Sequence, residues 1–256
     1  MSGLTKIKPP KKARIGLYSA GLNTYWGQFE GLYDCLMGYN RFIEKRLSEW
    51  GEVFNFGMVD TEEKGREAGE FFNKNNVDIV FSHAATYYAS ATVLPVHQIN
   101  NAPVIILNLQ PTAEMAYDTT GTDRWLAQCV GCSIPEISNA FNRAGITFRA
   151  VNGLLGLTET PDFAKADEVT CERPEAVRAW KQIEEWCRAA AVKRNLQWAR
   201  FGFLGGYYSG MGVYHGKRGS ADPSPGSVCG SQCRPVFQDC RAYEYSLCDL
   251  LMKKGL

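Results

Sequence analysis

The sequence predicts a doubly wound parallel α/β sheet. Two short apolar runs, Val77–Phe81 and Val104–Leu109, are continuous, as strands covered on both faces should be. Segments of helical period lie between such runs, and the alternation holds through the first two hundred residues. The right-handed crossover rule then puts helices on both faces of the sheet.

The elements follow in order. Arg14–Tyr18 is a short apolar strand after a basic, Pro-containing tail of residues 1–13. Leu32, Leu36, Tyr39, Ile43, Leu47 and Trp50 recur at helical spacing, with Gly51 as the stop. Val53–Val59 alternates and reads as the second strand. Asp60 with Glu63 has the spacing of a reciprocal N-terminal cap, opening a helix through about Asn75. Val77–Phe81 is the third strand. A loop and short helix then lead to the fourth, Val104–Leu109. Ile134–Ala144 reads as helix ended by Gly145, and Ile146–Val151 as a fifth strand. Pro174–Asn195 is the clearest helix, its apolar face made by Val177, Trp180, Ile183 and Cys187 and widened by Trp186. Phe201–Leu204 reads as a further strand, opening a second domain that stays incomplete. From Gly212 to Leu256 the rhythm stops: Gly, Ser, Pro and Cys fill 18 of these 45 residues. Domain by domain, this gives a tail (1–13), an α/β domain (14–195), the start of a second domain (196–211) and an atypical tail (212–256).

Composition narrows the function. Lys plus Arg is 28 and Asp plus Glu is 27, a net charge of +1 that offers no basic stripe for nucleic acid. No run of 18 apolar residues suggests a membrane span. The basic N-terminus lacks the apolar segment of a secretory signal, so a cytoplasmic protein with reduced thiols is expected. Neither GxGxxG after the first strand nor GxxxxGK[ST] occurs, which argues against a nucleotide-phosphate cradle. No GxSxG is present, so no catalytic residue is nominated.

In an open parallel sheet, ligands sit beyond the carboxyl ends of the strands. Three strand ends here carry amide, hydroxyl and aromatic groups. The first is followed by Ser19 to Gln28, the third by Ser82 to Tyr88 with His83 and Tyr87, the fourth by Asn108 to Met115 with Gln110 and Glu114. Such groups suit a polyol, exchanging hydrogen bonds with hydroxyls while rings cover a C–H face. Ordinary loop chemistry explains any one of them; three at one end point to a small-molecule site. Cys129 and Cys132 form a C-x-x-C, readable as a redox pair or as half a zinc site. Its nearest partner pair, Cys229 and Cys233, is about a hundred residues away, which favours buried small residues instead. His97 falls in a helix and reads as a packing residue.

Several of these segments resemble L-arabinose isomerase and the related L-fucose isomerases. The resemblance rests on Ile15–Leu17 with Gly21–Gly27, on Pro111–Met115, on Trp125–Cys129 with Pro135–Ile137, and on Arg200–Phe203 with Tyr207–Met211. It spans about residues 14 to 211 and implies a Rossmann- or flavodoxin-like domain of a ketol-isomerase interconverting an aldose and a ketose. It also implies Mn2+ whose Glu and His ligands lie beyond this chain, and a trimer or hexamer whose subunits share active sites. Carried over by position, Asn23, Tyr25, Trp26 and Met211 face the sugar, and Gln128 stands where relatives have His. On this reading the chain is a truncated or frameshifted N-terminal fragment, inactive alone. The alternative from another class is a non-catalytic sugar-binding or regulatory α/β module.

Overall fold

In the computed structural model, residues 10–159 and 169–198 are described. The elements run β1 (Ala13–Ala20), a 3-10 turn (Asn23–Tyr25), α1 (Leu32–Leu47), β2 (Gly51–Val59), α2 (Glu62–Lys74), β3 (Ile79–Ala84), α3 (Ser90–Ile99), β4 (Val104–Gln110), α4 (Thr122–Leu126), α5 (Ile134–Arg143), β5 (Phe148–Leu154) and α6 (Pro174–Trp198). The five strands are all parallel, in the order β2-β1-β3-β4-β5. This is the doubly wound α/β architecture the alternation predicts. The chain also divides after Val192; of the second unit only 193–198 are described. The Phe201–Leu204 strand, Met211 and the 212–256 tail lie outside the described residues.

Side-chain alternation along the strands splits the core into two layers. Ile15, Leu17, Ile79, Phe81, Ile105 and Leu107 face α1 and α6, meeting Leu36, Ile43, Trp180 and Ile183. Tyr18, Val80, Val104 and Ile106 face α2, α3 and α5, meeting Phe72, Val96 and Phe141. The α2–α3 contact is close because α2 carries Gly65 and Gly69 on that side. A Cβ on Gly65 would lie 2.3 Å from the Thr92 carbonyl oxygen, and one on Gly69 would lie 2.8 Å from Ile99 Cβ.

Several local expectations are corrected. The cap of α2 is Thr61, whose hydroxyl accepts from Lys64 N at 3.2 Å; Asp60 is directed elsewhere. The third strand runs to Ala84, so Ser82 and His83 lie within it. The fifth strand begins at Phe148 rather than Ile146. In α6 the buried stripe is Ala176, Ala179, Trp180, Ile183, Cys187 and Ala190, while Val177 is 55% exposed. The first turns of α6 approach β5 closely: a Cβ on Gly153 would lie 2.6 Å from the Glu175 carbonyl oxygen and 2.9 Å from the Ala179 methyl.

Candidate functional site

The strand order reverses between β1 and β3: the chain leaves β1 for β2 on one side and returns past it to β3 on the other. The carboxyl ends of these two strands therefore form the crevice where a doubly wound sheet positions a ligand. Three segments meet there. Tyr25 follows β1, Tyr87 follows β3, and the turn between α4 and α5 carries Cys129 and Cys132. Burial raises the Tyr25 hydroxyl pKa, and the neighbouring Cys129, Tyr87 and Cys132 raise it further.

Trp26 is held beside this crevice. Its Nε1 donates to Asp60 Oδ2 at 2.7 Å, and Lys64 Nζ meets the other oxygen of Asp60 at 2.7 Å. Asp60 is buried, so the ion pair and the indole together compensate its desolvation. Asn23 is exposed in the 3-10 turn, and Gln28 donates to the Thr24 carbonyl oxygen at 2.7 Å.

His83 is corrected from a loop residue to a core residue. It is 1% exposed, and its Nδ1 lies 2.8 Å from Ser19 Oγ. Asn40 Nδ2 donates to Ser19 Oγ at 2.8 Å, and Asn55 Nδ2 donates both to Asn40 Oδ1 at 2.6 Å and to Glu44 Oε2 at 2.8 Å. A bulge in the β1–β2 pairing sets Asn55 in place: Leu17 pairs with Asn55 but Tyr18 pairs with Gly57, which has φ of +90°. The Asn55 Oδ1 accepts from Gly57 N at 3.0 Å, closing the turn. On the opposite face, Tyr18 Oη lies 2.9 Å from His97 Nε2, and His97 also stacks edge-on against Phe141. Burial lowers both imidazole pKa values to about 3, so both rings are neutral at pH 7.

Beyond β4 the residues spread out. Gln110 ends the strand half-buried, and its carbonyl oxygen accepts from Leu155 N at 2.7 Å. Glu114 is exposed. Gln128 Oε1 accepts from Thr112 Oγ1 at 2.7 Å, whereas its buried Nε2 has no hydrogen-bond partner among the described residues. Met115, Tyr117, Thr120, Gly121, Thr122 and Trp125 line a shallow depression of about 190 Å³. Tyr117 is 77% exposed and Trp125 43%. Sequence reasoning missed this aromatic pair: Tyr117 lies past the motif-like part of the loop, and Trp125 drew notice only through the isomerase resemblance. It also missed Ser19 and Asp60 as partners of candidate residues, because both contacts join positions far apart in sequence.

Among the described residues, no three of His, Cys, Asp or Glu gather where they could hold a metal ion, and no helix is long and apolar enough to cross a membrane. No protein-family model matches the chain, and no curated protein matches it. Solved structures do match, one being a protein of Bacteroides fragilis described as a "putative acylhydrolase". It is 12% identical, with a TM-score of 0.38, over 74% of this chain and 92% of that one. Likeness at this level says nothing of activity. These findings overturn the resemblance to L-arabinose and L-fucose isomerases, which no match supports. The Mn2+, the shared-site trimer or hexamer and the fragment reading were implied by that resemblance and lose their basis with it.

Proposed function

We propose that the described domain is a non-catalytic module that binds a small polyol, of the size of one sugar ring, at the carboxyl end of its sheet. The observation that carries this reading is the depression between the loop after β4 and the start of α4. Two exposed rings, Tyr117 and Trp125, border it together with the hydroxyl residues Thr120 and Thr122. Rings that meet a C–H face and hydroxyls that exchange hydrogen bonds are the two chemistries a sugar needs. A volume of about 190 Å³ is below that of a drug-sized pocket and suits a single ring. The Ser19–His83 pair supplies no competing chemistry here, because both residues are buried and bonded within the core.

Tryptophan fluorescence of the full chain, titrated with L-arabinose, D-glucose and glycerol, tests the reading. A saturable change with a sugar but not with glycerol is expected. Trp125→Ala should weaken that binding about tenfold, the loss of roughly 1.4 kcal/mol of ring contact. No saturable response to either sugar up to its solubility limit would overturn the proposal.

A further inference from the structure

The C-x-x-C lies at the crevice and not among buried packing residues alone. Cys129 is 5% exposed whereas Cys132 is exposed, so the two thiols differ sharply in access. They are nonetheless neighbours, three residues apart in one turn, and Cys132 is close enough to act on the Cys129 thiol. They lie in a run of consecutive turns between α4 and α5: Cys129 N donates to the Leu126 carbonyl oxygen at 3.2 Å, and Ile134 N to that of Gly131 at 3.3 Å.

The position of Cys132 matters as much as its access. It directly precedes Ser133, the N-terminal flanking residue of the ten-residue helix α5. Ser133 does not cap that helix; its hydroxyl accepts instead from Tyr88 N at 2.8 Å. Ile134 N of α5 is taken by the Gly131 carbonyl oxygen and Pro135 has no N–H, so Cys132 stands exposed at the entry of the helix. The hydroxyl residues Tyr25 and Tyr87 neighbour the pair.

We propose that Cys129 and Cys132 form a thiol–disulfide exchange site, in which Cys132 attacks a low-molecular-weight disulfide and Cys129 resolves the product. In the first step the Cys132 thiolate sulfur bonds to one sulfur of the small disulfide. The S–S bond breaks, and one small thiolate leaves with the electron pair and takes a proton from water. In the second step Cys129 gives up its proton and attacks the Cys132 sulfur. The second small thiolate departs and takes up that proton. The protein dithiol is oxidised by two electrons, and the small disulfide is reduced to two thiols. The division of labour follows from the environment. Cys132 is exposed and open to the small disulfide, whereas Cys129 is buried and burial raises its pKa, so Cys129 acts after the mixed disulfide has formed next to it.

The test uses the full chain, fully reduced, with glutathione disulfide as the probe, acid quenching and peptide mass mapping. Wild type should lose two hydrogens as a Cys129–Cys132 disulfide, with no glutathione retained on Cys132. Cys129→Ser should trap a stable glutathione adduct on Cys132. Cys132→Ser should abolish reaction at Cys129. Cys35, half-buried and elsewhere in the same chain, is the reference for ordinary reactivity. A persistent adduct on wild-type Cys132 would overturn the proposal without recourse to any variant. So would reaction of the pair no faster than at Cys35.

Discussion

Acidification should destabilise this domain through His83 and His97. Each ring is fully buried, and its pKa is lowered from an ordinary 6.5 to about 3 by burial. Between those two values the unfolded chain binds a proton at each histidine and the native chain does not. Stability therefore falls as pH falls through that window, and it is fully present only above the unfolded value. Taken from pH 7 to pH 5, each histidine removes about 2 kcal/mol, and the pair about 4 kcal/mol. Domains are stable by about 5–15 kcal/mol, so this is a large fraction. Denaturant unfolding of wild type, His83→Gln and His97→Gln at both pH values isolates the effect, because every other titrating group is common to all three. Each variant should lose about 2 kcal/mol less than wild type over the same interval. The absolute stability of the variants at pH 7 is irrelevant to that comparison. An imidazole proton resonance of either residue titrating near pH 6.5 in the folded protein would refute the reasoning, as would three equal pH slopes.

Two further outcomes test the packing. Gly65→Ala should destabilise the domain by about 1–3 kcal/mol despite alanine's better helix propensity, because the added methyl meets a carbonyl oxygen of α3. A denaturant midpoint at or above that of wild type would show that the α2–α3 seam is looser than described. Thr61→Ala should cost about 1 kcal/mol through loss of the α2 cap, and an unchanged midpoint would return the capping role to another residue.

Strand and helix identity was legible in the sequence wherever one residue's neighbours in sequence decide its environment. The run Val104–Leu109 needs only its own composition to read as a strand buried on both faces, and β4 occupies Val104–Gln110. The α1 stripe Leu32, Leu36, Tyr39, Ile43 and Leu47 is buried as its spacing predicts. Errors arose where the deciding neighbour is distant. His83 looks like a loop residue because Ser and His are poor strand formers, yet Ser19 and Asn40 give it a polar partner chain inside the core. Asp60 has the spacing of a cap, but the indole of Trp26 and the ammonium of Lys64 claim both its oxygens, and Thr61 takes the cap. Val177 fits the apolar stripe of α6, but α6 seats Ala179 against Gly153 and Ala176 against Gly156, which leaves Val177 outside the contact. At the site, the loops were found by their place after the strands. Which of their residues meet could not be read, because Tyr25, Tyr87 and Cys129 come from three separate segments.

The Ser19–His83 pair shows why a hydrogen bond between a hydroxyl and an imidazole does not by itself make a nucleophile. The bonds have a direction. Asn55 donates to Glu44 and to Asn40, Asn40 donates to Ser19, and Ser19 Oγ lies 2.8 Å from His83 Nδ1. A hydroxyl beside a neutral imidazole is the pairing a general base requires. Access is what fails: Ser19 is 0% exposed and His83 1%, so no substrate carbon can approach the oxygen. The imidazole fails as well, since a pKa of about 3 leaves it too weak a base to take the proton of an attacking hydroxyl near neutral pH. The same burial that disables the pair for chemistry makes it costly to break, because any vacated partner is left desolvated. Ser19 and Asn40 therefore fix β1 against α1, and Tyr18 with His97 fixes it against α3. The strand at the switch point is tied on both of its faces, which holds the Tyr25 and Trp26 loop at a defined place over the sheet.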